Sequence, residues 1–305
     1  MRNFLQFHPE VADALAQNKP VVALESTVIT HGLPYPANVE TAVKMQTAVR
    51  EGGAVPATIA IIKGQVHVGL TDDELEYLGR LAGTAVRKCS RRDIPLAIGG
   101  QEDGATTVAG TMILAHQAGI RLFATGGIGG VHRGHPFDIS ADLLELGQTP
   151  VTVVSSGAKS ILDLPATREV LETHGVPIIG YGTDELPAFF ARSSGLPVDI
   201  RLNTPEAVAR VMQAHQQLGQ QNGLLVTVPV PEADACDPDM VEAAIAQATQ
   251  EADKEGIHGP ASTPWLLRRV VELTNGRSLQ ANVALLRNNG YVAANIARAC
   301  RQLIL

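Results

Sequence analysis

The 305-residue chain has only three cysteines, Cys89, Cys236 and Cys300, widely separated and in no CxxC pair. That scarcity argues against a disulfide framework and a Cys/His zinc site, and leaves reduced, buried or half-buried thiols. No apolar run reaches membrane-spanning length. The opening Met-Arg-Asn-Phe-Leu-Gln-Phe-His lacks the long apolar core of a secretory signal, so the expected location is the cytoplasm. Basic residues are in deficit, 24 Lys and Arg against 31 Asp and Glu, for a net charge of −7. This balance argues against a broad nucleic-acid-binding face. A small phosphorylated ligand stays open, because a few N–H groups and one lysine suffice for a phosphate. Low-complexity segments, repeats and linker-like breaks are absent, so a single domain over residues 1–305 is the simpler organisation. What remains, 45% hydrophobic and 18% charged, is the composition of a soluble globular protein with a large core.

Apolar strand-like runs alternate with helix-like segments over the first two thirds. Strands are expected at 21–24, 58–62, 65–68, 96–98, 122–124, 151–154, 176–179 and 223–228, with Lys63-Gly64 as a tight hairpin turn. Helices are expected at 38–51, 71–82, 106–118, 141–146, 159–174 and 206–218. Thr71 and Glu74 form a capping box, and Gly119 ends the helix before it. Helices at 238–255, 263–274 and 278–302 complete the chain. The pattern predicts an α/β fold: a mostly parallel central sheet covered by helices on both faces, with a helical C-terminal region.

Lys159 carries the most chemical information. It leaves the apolar run Val151–Val154 through Ser155-Ser156-Gly157-Ala158, where a strand's carboxyl end is expected to meet a helix start. Burial and the partial positive charge of helix N–H groups both favour a neutral, nucleophilic amine there; an ordinary surface lysine is the competing reading. Glu25 directly follows Val21–Leu24 and precedes Ser26, Thr27, Thr30 and His31. This polar cluster lies at a strand end, where open α/β sheets place ligands, and suits a general acid; a carboxylate pinned by local N–H groups is the competing reading.

Thr125–Gly134 is a glycine-rich loop that is neither a dinucleotide fingerprint nor a Walker loop. Within it His132, and just after it His135, are either metal ligands or solvated histidines. Asp138, Ser140 and Asp142 offer hard oxygen ligands for Mg²⁺ or Mn²⁺, and equally a helix cap with an acidic first turn. Lys88 sits in a basic cluster, as phosphate partner or solvated charge. The stretch from Gly104 through Val108 to Gly110 opens a helix whose N–H groups suit an anion. Asn282, polar in an apolar helix, needs a partner if buried.

Read in order along nearly the whole chain, these segments resemble the pseudouridine-5′-phosphate glycosidase family, related to indigoidine synthase A-like proteins. The similarity is carried by Ala23–Pro36, Lys88 with Ser90–Asp93, Gly104–Ala109, Gly126–Gly134, Phe137–Leu143, Gly157–Asp163, Leu186–Phe190, Ser262–Pro264, and Asn282 with Asn288-Asn289. It implies a C-glycosidase of the lyase class, pseudouridylate synthase type. Such an enzyme reversibly cleaves the C–C bond of pseudouridine 5′-phosphate to uracil and ribose 5-phosphate. It further implies Lys159 as the nucleophile that forms a Schiff base at C1′ and Glu25 as proton donor. Lys88, Val108 (through its backbone), Ser140, Ala141 and Asp142 would bind substrate, with His132 and Asn282 in the pocket. Asp138 would hold one Mn²⁺, and the assembly would be a homotrimer. The His135-Pro136 connection before Asp138 is shorter than the family pattern, and Ser155-Ser156 replaces an expected Cys-Ala. Two other readings fit the residues: another Schiff-base lyase or aldolase-like enzyme on a phosphosugar, and a non-catalytic phosphosugar-binding protein.

Overall fold

Short apolar runs become the centre of one sheet. In a computed structural model, which describes residues 4–84, 86–257 and 262–303, Val21–Leu24, Thr152–Ser155 and Leu224–Thr227 are buried at every position. A strand buried on both sides needs helices over both faces, the arrangement of a parallel sheet. Across the sheet the order is Leu5–Phe7, Gln65–Val68, Val55–Ile62, Val21–Leu24, Leu122–Ala124, Thr152–Ser155, Leu224–Thr227, Ile178–Tyr181 and Ile200–Leu202. Along this path every pairing is parallel except the hairpin of Val55–Ile62 with Gln65–Val68. Lys63 and Gly64 turn that hairpin with φ of 48° and 79°, the doubly left-handed turn that matches strand twist. Gly104–Thr106 joins Val55–Ile62 antiparallel and carries Arg87–Cys89 beside it.

The long C-terminal helix Arg277–Gln302 packs on Ala37–Glu51 and Pro205–Gln217 and reaches the strands Val21–Leu24, Leu122–Ala124 and Thr152–Ser155. The capping box of Thr71 and Glu74 starts Asp72–Arg80, and Gly119 closes Val108–Ala118 in the left-handed conformation at φ 83°. Cys89 and Cys236 are buried and Cys300 is half-buried, all three free. Among the described residues no helix is long and apolar enough to cross a membrane.

Two expected elements are corrected. Residues 96–98 form no strand; they lie in the helix Ile94–Gly99. Its start is set by Pro95 in the first turn and by a turn at Ser90, whose N–H donates to Asp93 at 3.1 Å. Three apolar residues alone do not distinguish strand from helix. The second correction concerns Lys159, which opens no helix. The chain continues through a short strand, Leu162–Asp163, and the helix begins only at Leu164, with Asp163 as N-cap and Pro165 in the first turn. Leu162–Asp163 pairs antiparallel with Val131–His132, which in turn pairs with His135–Ile139. This separate three-stranded sheet joins the lysine loop, the glycine-rich loop and Asp138.

Candidate active site

The neighbouring parallel strands Val21–Leu24, Leu122–Ala124 and Thr152–Ser155 end at the same edge of the sheet. Glu25, Thr125-Gly126-Gly127 and the loop to Lys159 leave those carboxyl ends. The last two are laced together by backbone: Ser156 N–H donates to Gly126 at 2.8 Å, Ile128 N–H to Gly157 at 3.0 Å, and Lys159 N–H to Ile128 at 3.1 Å. Gly157 takes φ 81°, and a side chain there would meet the Pro187 carbonyl oxygen at 2.5 Å. The cavity above this edge, about 240 Å³, is lined by Glu25, Lys88, Lys159, Asn282 and the Phe189–Phe190 pair. Four residues selected from sequence therefore meet in one place.

Glu25 is 9% exposed. The hydroxyl of Thr27 donates to one of its carboxylate oxygens and that of Thr125 to the other. Charge-assisted bonds of this kind fix a carboxylate's orientation, while lone pairs remain for a ligand. Lys88, on Arg87–Cys89, has its pKa pushed below the lysine norm, first by burial and then by the Lys159 cation; Asp142 and Glu25 pull the other way. Two lysines and a carboxylate thus share one cavity.

Val108, Ser140, Ala141 and Asp142 do not line that cavity. Ser140 is an N-cap, its hydroxyl accepting the Asp142 N–H at 3.2 Å. Buried Asp142 accepts Ala109 N–H on one oxygen at 2.9 Å and Gly129 N–H on the other at 2.8 Å. It braces the mouth of helix Val108–Ala118 against the glycine-rich loop. At that mouth Thr107 takes the Gly110 N–H and Asp142 takes that of Ala109.

His132 and Asp138 line a second, smaller cavity of about 30 Å³. Burial holds the His132 pKa below its usual value; Asp138 opposes this, while Lys88, His135 and Lys159 add to it. A neutral imidazole beside a carboxylate can accept or pass a proton. Among the described residues no three His, Cys, Asp or Glu side chains converge to hold a metal ion, so no closed protein cage for Mn²⁺ is built. The donor set fits an ion held by one carboxylate, Asp138, with water and ligand oxygens filling the shell, a common mode for small hard cations.

Several further residues shape the site. Thr125 was visible only as the start of the glycine-rich loop, yet it holds Glu25. Asn289, fully buried, donates to the Thr125 carbonyl at 2.9 Å and to Ser156 Oγ at 3.2 Å, tying the C-terminal helix to both loops. Phe189, at φ 61°, lays its ring over Gly127 with Phe190 at 4.6 Å. His31 also lines the cavity, its pKa lowered by burial and then by Lys88. A polar residue at a strand end was the available signal for Thr125; Phe189 and Asn289 fall in the Leu186–Phe190 and Asn288-Asn289 segments that carry the family resemblance, and those segments alone assign neither residue its contacts.

Comparison with known proteins follows the same outline. The family model described as indigoidine synthase A like protein matches residues 10–299. A pseudouridine-5′-phosphate glycosidase of Hahella chejuensis is 56% identical over 299 residues, covering 97% of this chain and 98% of that one. One of Escherichia coli is 55% identical over 301 residues, covering 98% and 96%. Among solved structures, the prealnumycin C-glycosynthase in complex with ribulose 5-phosphate aligns with a TM-score of 0.91 at 44% identity, covering 100% of this chain and 99% of that one. An indigoidine synthase A-like protein of Thermotoga maritima aligns at 0.88 and 37% identity, covering 96% and 95%. By sequence and by fold, the chain belongs to the indigoidine synthase A-like protein family.

Proposed function

We propose that the protein is a pseudouridine-5′-phosphate glycosidase that works through a Schiff base on Lys159. The observation that carries this reading is the meeting of Lys159, Glu25 and Lys88 in one cavity, in a chain 55–56% identical to proteins of that name. A C–C glycosidic bond has no oxygen or nitrogen leaving atom to protonate, so the usual design of two carboxylates flanking the bond has little purchase. An amine offers another route.

In the proposed sequence Glu25 gives a proton to the ribose ring oxygen, the C1′–O4′ bond opens, and Lys159 Nζ bonds to C1′. The Glu25 carboxylate takes a proton from the new ammonium and passes it to uracil C5, and the C1′–C5 bond breaks. Its electron pair stays with the ring as uracil leaves, while the nitrogen lone pair forms the iminium. Water adds to the iminium, freeing ribose 5-phosphate and the amine. Thr27 and Thr125 keep Glu25 aimed, Lys88 faces the phosphosugar's charge, and Asn282 offers an amide to the base. Asp142 and Ser140 support this site by holding the mouth of the Val108 helix and the glycine-rich loop. Asp138 would hold Mn²⁺, which supplies Lewis-acid polarisation of a substrate oxygen when bound. The enzyme is proposed to act in the cytoplasm as a homotrimer. Phe137, 98% exposed, with Ile139 and Leu144 also exposed, supports a protein interface, and light scattering checks it.

The test is incubation with pseudouridine 5′-phosphate and Mn²⁺, assay of uracil release, and borohydride trapping with peptide mapping. Uracil release with an adduct on Lys159, both lost in Lys159→Met, is the expected result. Full turnover by Lys159→Met would refute the Schiff base. The similarity to a C-glycosynthase favours a second reading, a C–C bond-forming lyase on a phosphosugar. An adduct with ribose 5-phosphate but no uracil release would select it.

A further inference from the structure

The loop that carries Lys159 is held from two sides. Facing the cavity, it is laced to Ile128. Beside it lies a hollow of about 480 Å³, lined by Ser160, Leu162, Arg133 and Glu242 among others. Ser160 is 4% exposed, and its hydroxyl finds no hydrogen-bond partner among the described residues, so that side chain does not hold the loop. Arg133 spans the hollow. Its Nε donates to the Leu162 carbonyl at 3.1 Å and its Nη2 to the Ser160 carbonyl at 2.9 Å. The same guanidinium grips Glu242 on helix Pro238–Glu255, Nη1 to Oε1 at 2.6 Å and Nη2 to Oε2 at 3.1 Å.

We propose that Arg133 and Glu242 form a strut that fixes the backbone of the lysine loop, and that both are positioning residues for Lys159. The carbonyls that Arg133 holds belong to the residue after the lysine and to the first residue of the strand Leu162–Asp163. Fixing both sets the direction in which the chain leaves Lys159. Arg133 also follows His132 directly, so one residue couples the lysine loop to the small sheet that bears His132 and Asp138. The geometry requires arginine. A planar fork reaches two carbonyls and a carboxylate together, whereas a lysine ammonium presents a single nitrogen. Glu242 neutralises the fork and sets its plane by a two-point contact.

This inference rests on the Schiff-base reading, and its test separates the two. Arg133→Lys, Glu242→Gln and the double variant are compared with wild type for kcat, KM, melting temperature and the rate of borohydride trapping on Lys159 across pH. Arg133→Lys is expected to lower kcat and trapping rate together, by about tenfold or more as misplacement of a reacting group does, with KM within about twofold. Glu242→Gln moves both in the same direction by less. The double variant is no worse than Arg133→Lys, because residues acting as one unit are not additive. Glu242→Gln keeps the arginine and changes a side chain at the surface, so it remains informative if Arg133→Lys folds poorly. A lower melting temperature with unchanged trapping per folded molecule would overturn the strut, as would a raised KM at unchanged kcat. A wild-type protein that traps no adduct would overturn the Schiff base and the strut with it; a wild-type adduct with unchanged trapping in both variants would overturn the strut alone.

Discussion

Gly127→Ala puts one methyl group into a tight aromatic contact of the site. A Cβ at Gly127 would lie 2.7 Å from both Cδ2 and Cε2 of Phe189 and 3.0 Å from the Gly157 carbonyl oxygen. Carbon atoms pack comfortably at about 3.5–4.0 Å, so the ring must retreat by roughly 1 Å. Phe189 has little room to do so: it is 2% exposed, packs on Phe190, and donates its N–H to the Ser156 carbonyl at 3.2 Å. The overlap is relieved by moving the Phe189 ring or the Gly157 turn that leads into Lys159. Overpacking of this kind costs about 1–3 kcal/mol, and a shift near 1 Å at a reacting group costs up to about a hundredfold in rate. Urea unfolding reads the first quantity and uracil release the second. Gly99→Ala serves as control, since no heavy atom lies within 4 Å of a Cβ there; its stability is expected to be unchanged or raised by up to about 1 kcal/mol. A Gly127→Ala protein that loses less than about 0.5 kcal/mol and keeps wild-type kcat would refute the argument that Phe189 is immovable over this glycine.

Thr125→Val removes a hydroxyl from Glu25 at nearly constant shape; kcat is expected to fall about ten- to a hundredfold, the worth of a bond to a charged group, with recovery in Thr125→Ser. Unchanged steady-state kinetics would show that Thr27 alone orients the carboxylate. Lys88 has its folded pKa depressed, chiefly by burial. Its burden on stability is therefore full below that depressed value and is relieved as pH rises toward the unfolded value of about 10.4. Lys88→Met is expected to raise the melting temperature at pH 7, with a gain that shrinks on approach to pH 10, while substrate affinity drops; a gain independent of pH would contradict the assignment. Burial pushes the Cys89 thiol up to about 12 and Cys300 to about 11, and raises Cys236 as well. A disulfide reagent at pH 8 is expected to label none of the three rapidly in the native protein and all three in denaturant. Rapid native labelling of Cys89 would disprove its burial.

Where apolar runs are continuous and punctuation is explicit, the fold was legible. The hairpin at Lys63-Gly64, the Thr71 capping box, the Gly119 stop and the helix Pro238–Glu255 all stand where the chain marks them. Residues 96–98 were misread because three or four apolar residues have no period, and Pro95 reads as a helix start only once the preceding turn is known. The helix expected from Lys159 was misread because Leu162-Asp163 form a strand only by pairing with Val131–His132, a partner some thirty residues away.

By itself the sequence determined the layered α/β architecture, the family, and four of the residues that share the main cavity, because strand-end polar residues and glycine-rich loops leave local signatures. Tertiary structure alone decided that Thr27 and Thr125 hold Glu25, that Asp142 spends both carboxylate oxygens on backbone, and that His132 and Asp138 occupy a neighbouring pocket. Apart from the Thr27 contact, which is local, these facts depend on which segments distant in the chain the fold brings together, and no local pattern of residues encodes that juxtaposition.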